Sequence, residues 1–379
     1  MNLSFDADQE ALRETARSFL AAHSSSDAVR RAMASERGWD PEVWRRVGSD
    51  LGWPALLVPE AYGGLELGPV ELVALMEEMG SALFCSPFLA SVCLGGMAIQ
   101  LGGNEEQKRR HLPGIARGET IATLAYTEEN GRWDAHAITA TARADGDAFV
   151  LEGVKTFVPD GASADLLVVA ARRPSSSGED GVSLFALPAD AAGVTRRALP
   201  TIDQTRRQGE IRLDRVRAPR EALLGEAGRG WELLARTLDR ALVAIAAEQV
   251  GGAQRCLDLA VEYAKQRVQF GRPIGSFQAI KHKCADLLVL VESARSASYY
   301  AGAAAAADDP ELPVLASLAK AVCSDAYFRC AADAIQIHGG VGFTWELDCH
   351  LYFKRAKSSE TLLGDAAYHR ERVASRIGL

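Results

Sequence analysis

GWELLARTLDRALVAIAAEQVGGAQRCLDLAVEYAKQR, residues 230–267, is the stretch on which the reading of the fold turns. Apolar side chains recur along its whole length at helical spacing. The pair Gly251 and Gly252 falls inside it without breaking that period, so it reads as one long helix. Two more long helices follow: FQAIKHKCADLLVLVESARSASYYAGAAAAA (277–307) and ELPVLASLAKAVCSDAYFRCAADAIQIHGG (311–340). The second of these closes on Gly339 and Gly340 as C-cap glycines. DAAYHRERVASRIGL (365–379) fits a short last helix, and the AGAAAAA run (301–307) fits close helix packing. Such helices need neighbours, which predicts a four-helix bundle over residues 230–379.

Toward the N-terminus the period changes. ITATARADGDAFVLEGVKTFVPDG (138–161) alternates apolar and polar residues around DGD, a hairpin signal. ADLLVVAAR (164–172) and GVSLFALPA (181–189) read as buried strands, and GEIRLDRVRAP (209–219) as a further one. RRPSSSGEDG (172–181) reads as a mobile hairpin tip. Residues 121–229 are therefore expected to form a β-barrel-like domain of short strands.

Residues 1–120 return to helices. DQEALRETARSFLAAH places Leu12, Ala16, Phe19 and Leu20 near one face. PVELVALMEEMGSAL repeats the pattern, with Pro69 suited to a first helical turn. GWPALLVPEAYGGLEL between them is loop-like, and Asn104 is placed to cap a helix over NEEQKRRHLPGIARGE. The fold class is thus α+β and multidomain, with helical, β and helical segments in that order.

The 379 residues are 48% hydrophobic and 24% charged, enough apolar material for large cores. A net charge of −8 argues against a nucleic-acid surface. No apolar run is long enough to span a membrane, and MNLSFDADQEALRETARSFL lacks the basic start and apolar centre of a secretion signal. A cytoplasmic location is the expectation. The seven cysteines include no CxxC pair and several lie in apolar helical patterns, so no metal or redox role is expected for them.

Four motifs carry more than composition: YTEENGRWD (126–134), LEGVKTFVPDG (151–161), AKQRVQFGRPIGSFQAIKHKCADL (264–287) and QIHGGVGFTWE (336–346). In this order and at these separations they resemble the acyl-CoA dehydrogenases over essentially the whole chain. The resemblance implies an oligomer, a homotetramer or an α2β2 heterotetramer. It implies FAD in a cleft between the β domain and the C-terminal bundle, its adenine end held by the neighbouring subunit. The implied reaction is α,β-dehydrogenation of an acyl-CoA thioester: a carboxylate removes the α-proton, hydride leaves to the flavin, and electrons pass to an electron-transfer flavoprotein.

By the same resemblance Arg267, Phe270, Gln278, Gln336, Gly339 and Gly340 fall at the adenosine and diphosphate end. A planar guanidinium suits bidentate phosphate contact, and adjacent glycines admit phosphate to backbone N–H groups. Thr127 and Phe157 match residues that meet the flavin ring, while Gly153 and Lys155 read as structural.

The sequence departs from the family at the reaction centre. Trp133 and Glu129 stand where the TEPxxGSD pattern has serine and proline, with Arg132 an alternative charge for phosphate. Phe157-Val158-Pro159 replaces an aromatic-Ile-Thr stretch, removing a hydroxyl near the flavin. Of the two places where the family keeps its base, one holds Leu363 and the other Ala241, and neither accepts a proton. Asp365, Asp239 and Glu248 are the nearest substitutes in sequence. The expected reading is a FAD-sharing partner subunit, as in heteromeric members that act on steroid side-chain thioesters. The alternatives are a self-contained dehydrogenase with a relocated base, and a flavin-dependent hydroxylase or oxidase on the same fold.

Overall fold

A computed structural model describes residues 4–379; the first three residues of the N-terminal stretch read above for a secretion signal lie outside the described residues. The helices of the N-terminal third begin where capping chemistry allows. Helix α1 (Ala7–His23) starts at Asp6, whose carboxylate accepts from the amides of Asp8 and Gln9 while the Gln9 side chain returns to the Asp6 amide. Helices α2 (Ser26–Ala34) and α3 (Pro41–Ser49) follow, and α4 (Pro69–Ser81) opens on its proline. A buried run with π-type turns (Leu89–Gly96) leads into α5 (Met97–Gly102). Helix α6 (Glu105–Ala116) carries a reciprocal cap between Asn104 and Gln107, as its sequence predicts.

The middle of the chain forms β1 (Ala122–Ala125), β2 (Thr141–Asp145), β3 (Ala148–Pro159), β4 (Leu166–Arg172), β5 (Val182–Pro188), β6 (Val194–Ala198), β7 (Gln208–Pro219) and β8 (Leu223–Leu224). They build one sheet in the order β6-β7-β3-β2-β4-β5-β8, with β1 parallel to β4. Every residue of β4 is buried, which explains its unbroken apolar run. The DGD hairpin joins β2 to β3 as expected. The tip between β4 and β5, read as mobile, is instead stapled. Buried Arg172 donates to the carbonyls of Ser176 (2.8 Å), Ala135 (3.1 Å) and Gly178.

Helix α7 (Gly230–Gln266) is continuous through Gly251 and Gly252. A small hairpin, β9 (Val268–Gln269) and β10 (Arg272–Pro273), leads to α8 (Gln278–Ala306) and α9 (Leu312–His338). Helices α10 (Cys349–Thr361) and α11 (Ala366–Arg376) close the chain. Among the described residues no helix is long and apolar enough to cross a membrane.

By its contacts the chain divides into two compact units. One takes the described residues up to Met33, Pro69–Cys85 and Leu242–Leu379; the other takes Ala34–Gly68 and Ser86–Ala241. In the helical unit, α4 crosses α7 so closely that a Cβ on Gly251 would lie 1.8 Å from the Glu77 carbonyl oxygen. A Cβ on Gly252 would lie 2.4 Å from the Tyr327 ring.

These contacts set two effects against each other. Helix propensity alone would make Gly251→Ala stabilising by about 1 kcal/mol. A backbone collision at this depth costs about 1–3 kcal/mol or more and dominates. Gly251→Ala is therefore expected to lower the unfolding temperature, a sign that thermal denaturation followed by circular dichroism checks directly.

Candidate functional site

The residues predicted for a dinucleotide fall in two groups, and the larger belongs to the helical unit. Arg267 follows the last residue of α7, its N–H bonded to Tyr263 O at 2.8 Å. Two residues later the chain reverses in the minimum space, with Gln269 opposite Arg272. Phe270 and Gly271 make the turn at φ 54° and 76°, both left-handed, as a two-residue mirror-image turn requires. Glycine accepts that conformation freely, but phenylalanine does so only where its surroundings hold it. Here they do. The Phe277 ring stands edge-on to Phe270 with centroids 6.0 Å apart, and the Arg272 guanidinium lies 4.2 Å from the same Phe277 ring centre. The result is a Phe270 side chain 91% exposed. Phe270 is thus an exposed aromatic side chain held on left-handed backbone.

Beside this hairpin lies a groove of about 510 Å³ lined by Glu262, Tyr263, Gln266, Arg267, His338 and Gly340, among others. His338 stacks on Tyr263 with centroids 4.2 Å apart, and its Nδ1 donates to Ala334 O at 2.7 Å. Gly339 ends α9 at φ 66°, and a Cβ on either Gly339 or Gly340 would meet nothing within 4 Å. Their backbone can thus be approached from outside. Arg267 and Gly340 share the groove. Gln336, in the last turn of α9, and Gln278, first residue of α8, are exposed but do not line it.

The second group sits in the sheet unit. The Thr127 hydroxyl donates to Thr156 O at 2.6 Å, and the Thr156 amide donates to Thr127 O at 3.0 Å. A register shift between Lys155 and Val158 puts Phe157 at φ 56°, where its side chain is 47% exposed. Beneath them lies an ion pair that the sequence did not reveal. Glu128 and Lys155 are both buried and meet at 2.6 Å; the carboxylate also accepts from the amides of Thr139 and Ala140 and from the Thr139 hydroxyl. The available signal was a lysine in an otherwise apolar phase of β3.

Burial by itself would raise the Glu128 carboxyl. The charge of Lys155 and the hydrogen bonds from Lys155, Thr139 and Ala140 outweigh it and hold the group below the usual carboxylate range. Arg132, considered as a phosphate ligand, is instead engaged by Asp134 at 2.9 Å.

Neither position where a base was sought offers one: Ala241 and Leu363 are both buried. The substitute carboxylates hold structural posts. Glu248 is paired with Arg355 at 2.9 Å inside the helical core, Asp365 caps α11 through the Tyr368 amide at 2.8 Å, and Asp239 is buried in α7. All seven cysteines are free thiols, and among the described residues no cluster of metal-ligating side chains forms.

The chain belongs to the acyl-CoA dehydrogenase family. Its residues 6–119, 123–216 and 228–378 match the family's N-terminal, middle and C-terminal domains in turn. It is 34% identical over 370 residues to acyl-CoA dehydrogenase IpdE2 of Mycolicibacterium smegmatis, covering 98% of this chain and 99% of that one. The structure of butyryl-CoA dehydrogenase from Megasphaera elsdenii superposes with a TM-score of 0.92 at 28% identity, covering all of both chains. A chain of the ChsE4–ChsE5 complex from Mycobacterium tuberculosis superposes with a TM-score of 0.90 at 28% identity, covering 100% of this chain and 99% of that one.

Because the folded pKa of Glu128 is lowered, the stability it contributes is present above its unfolded value of about 4.3 and drains away as pH falls through the folded value. At neutral pH, Lys155→Met strands a buried carboxylate and is expected to cost about 3–5 kcal/mol. The double variant Glu128→Gln/Lys155→Met is expected to recover most of that loss. Urea denaturation of the three proteins provides the comparison, and a double variant no better than the single would refute this account.

Proposed function

We propose that this chain is the flavin-sharing subunit of a heteromeric acyl-CoA dehydrogenase and lacks the proton-abstracting base itself. The observation that carries the reading is a contrast. The braced, exposed Phe270 hairpin and the open groove of Arg267 and Gly340 are complete, while Leu363 and Ala241 are buried apolar residues where a base is needed. Similarity to a chain of the ChsE4–ChsE5 complex supports a two-component assembly.

FAD fits the residues present at its adenosine and diphosphate end. The Arg267 guanidinium would pair with phosphate oxygens, and the uncrowded backbone at Gly339 and Gly340 gives the same charge room to approach, although the Gly339 N–H is itself held by Gln336 O and Ile335 O at the end of α9. Gln336 and Gln278 would bond the adenosine and ribose, and Phe270 would lay its ring against the cofactor of the adjoining subunit. Thr127 and Phe157 would meet a flavin ring on the sheet side. When bound, FAD accepts the β-hydrogen as hydride and passes electrons to an electron-transfer flavoprotein.

This chain's own residues bind and orient. The α-proton of the acyl-CoA thioester goes to a carboxylate of the partner subunit. A self-contained enzyme would need Asp365, Asp239 or Glu248 as base, and these side chains are capping, buried or paired. Leu363 is itself a buried apolar side chain, which suits a wall rather than a proton acceptor. A cytoplasmic location is part of the same proposal.

Expressed alone, the chain is expected to retain well under one flavin per chain and to show no bleaching with acyl-CoA. Co-expressed with an acyl-CoA dehydrogenase-like partner, it should yield a yellow, active complex. Full activity of the isolated chain would overturn the proposal. In the complex, Arg267→Ala removes a charge-assisted contact of about 1.5–3 kcal/mol, so flavin retention should weaken roughly 10- to 100-fold, as read by absorbance after dialysis.

A further inference from the structure

The turn between α10 and α11 is strained. Leu363 and Gly364 sit at φ 62° and 111°, and a leucine occupies that region only when neighbours hold it there. Two buried side chains do so. Lys320, on α9 and 0% exposed, donates from Nζ to Gly364 O at 2.8 Å, Glu360 O at 3.0 Å and the Ser324 hydroxyl at 2.9 Å. His369, on α11 and also 0% exposed, meets Leu363 O at 3.0 Å through Nε2; a carbonyl only accepts, so Nε2 carries the hydrogen. Space closes the turn from the other side, since a Cβ on Gly364 would fall 2.5 Å from the Tyr368 ring and 2.7 Å from His369 Nε2.

The hydrogen-bond partners of Lys320 are two carbonyls and a hydroxyl, with no carboxylate among them. Ser324 is itself fixed by Gln249 of α7 at 3.0 Å. The nearby ionisable groups are Cys323 and Asp325 on α9, Glu360 on α10, and Asp365 and His369 at the head of α11. The acidic ones have other engagements: Glu360 pairs with Lys357 at 2.9 Å, Asp325 with Arg370, and Asp365 caps α11.

We propose that Lys320 and His369 are positioning residues that clamp the Leu362–Gly364 turn, and that protonation of Lys320 loosens the clamp. A neutral amine keeps two donors for the carbonyls of Gly364 and Glu360, and its lone pair can take the Ser324 hydroxyl proton that otherwise goes to Gln249 Oε1 at 3.3 Å, so the closed turn needs no charge. An ammonium in the same place has its three N–H groups met but touches no carboxylate, so the cost of burying its charge is only partly offset and is relieved when the turn opens to water.

Burial pushes Lys320 down to about 7, against the smaller upward pull of Cys323, Glu360, Asp365 and Asp325. Once hydrated, the amine returns toward about 10.4. The closed turn therefore binds its proton more weakly than the open one. It is weakest below about pH 7 and tightens as pH rises above that value. Burial, then Lys320 and Arg372, push His369 down to about 3, so it stays a neutral donor throughout.

The clamp rests on the proposed function only in what it holds, because on that reading Leu363 is the apolar residue at the base position. Amide hydrogen exchange over residues 358–370 of the full chain, corrected for intrinsic exchange, tests it without flavin, acyl-CoA or a second subunit. Protection should grow about tenfold per pH unit above neutrality, as expected for one linked proton. Lys320→Met, neutral at every pH, should show no such slope. Lys320→Arg, charged throughout, should also be flat and less protected, and it serves if the methionine variant does not fold. A flat wild-type profile, or a slope that persists in either variant, overturns the clamp. Such a failure leaves the proposed function standing, and an isolated chain that proves fully active leaves the clamp standing.

Discussion

Helices α4 and α7 run backbone to backbone at one crossing, and the helical unit is arranged around it. A Cβ on Gly80 would lie 2.0 Å from Glu248 O, and one on Gly251 would lie 1.8 Å from Glu77 O. Each helix supplies the glycine that the other's carbonyl needs. Close approach of this kind excludes side chains from the contact and forces neighbouring polar groups inward. Glu77 accepts from Arg295 at 3.2 Å and from the Tyr299 hydroxyl at 2.7 Å, and Glu248 pairs with Arg355. Each carboxylate is nearly buried, so its partner is obligatory: removing one half of such a pair leaves an uncompensated charge. The crossing thereby ties α4 to α8 and α7 to α10. It also explains why Glu248, which in sequence lies two turns from Ala241 on the same helix face, is unavailable as a substitute base.

The same economy of buried charge governs the sheet unit. Glu128 and Lys155 fix the segment bearing Thr127 against β3, and the register shift just beyond Lys155 turns Phe157 outward. In the helical unit the exposed position of Phe270 comes from a different device, a turn that is left-handed at both residues and braced by Phe277 and Arg272. Two exposed aromatic side chains, each on strained backbone, are thus presented by rigid local structure. Residues built to bind on contact need little ordering when a ligand arrives.

Much of this was legible in the chain itself. The periodicity of residues 230–267 specified one helix despite two glycines, because apolar spacing depends on the residues around them. Asn104, Pro69 and the DGD turn acted through local chemistry and appear where that chemistry puts them. Elements whose support is non-local were not legible. Strand β1 is four buried residues with no alternation, β6 and β8 are short, and α10 mixes polar and aromatic residues without a clean face. Their pairing comes from partners distant in sequence. The tip at residues 172–181 is similar: its Ser/Gly composition suggested mobility, and one buried arginine binding three carbonyls ties it down.

By itself, then, the sequence determined the order of helical and β segments, the family, and the identities of the residues standing where a base is expected. Those depend on local periodicity and on residue type, which folding does not change. Only the tertiary structure decided that Arg267 and Gly340 share one groove while Gln336 and Gln278 lie outside it. It alone turned Asp365 into a cap and Glu248 into half of a buried pair, and brought Lys320 to the carbonyls of a turn more than forty residues further on. The charge of a side chain can be read from its name. Whether it is free to act depends on what the fold places within hydrogen-bond reach, and on how much water remains.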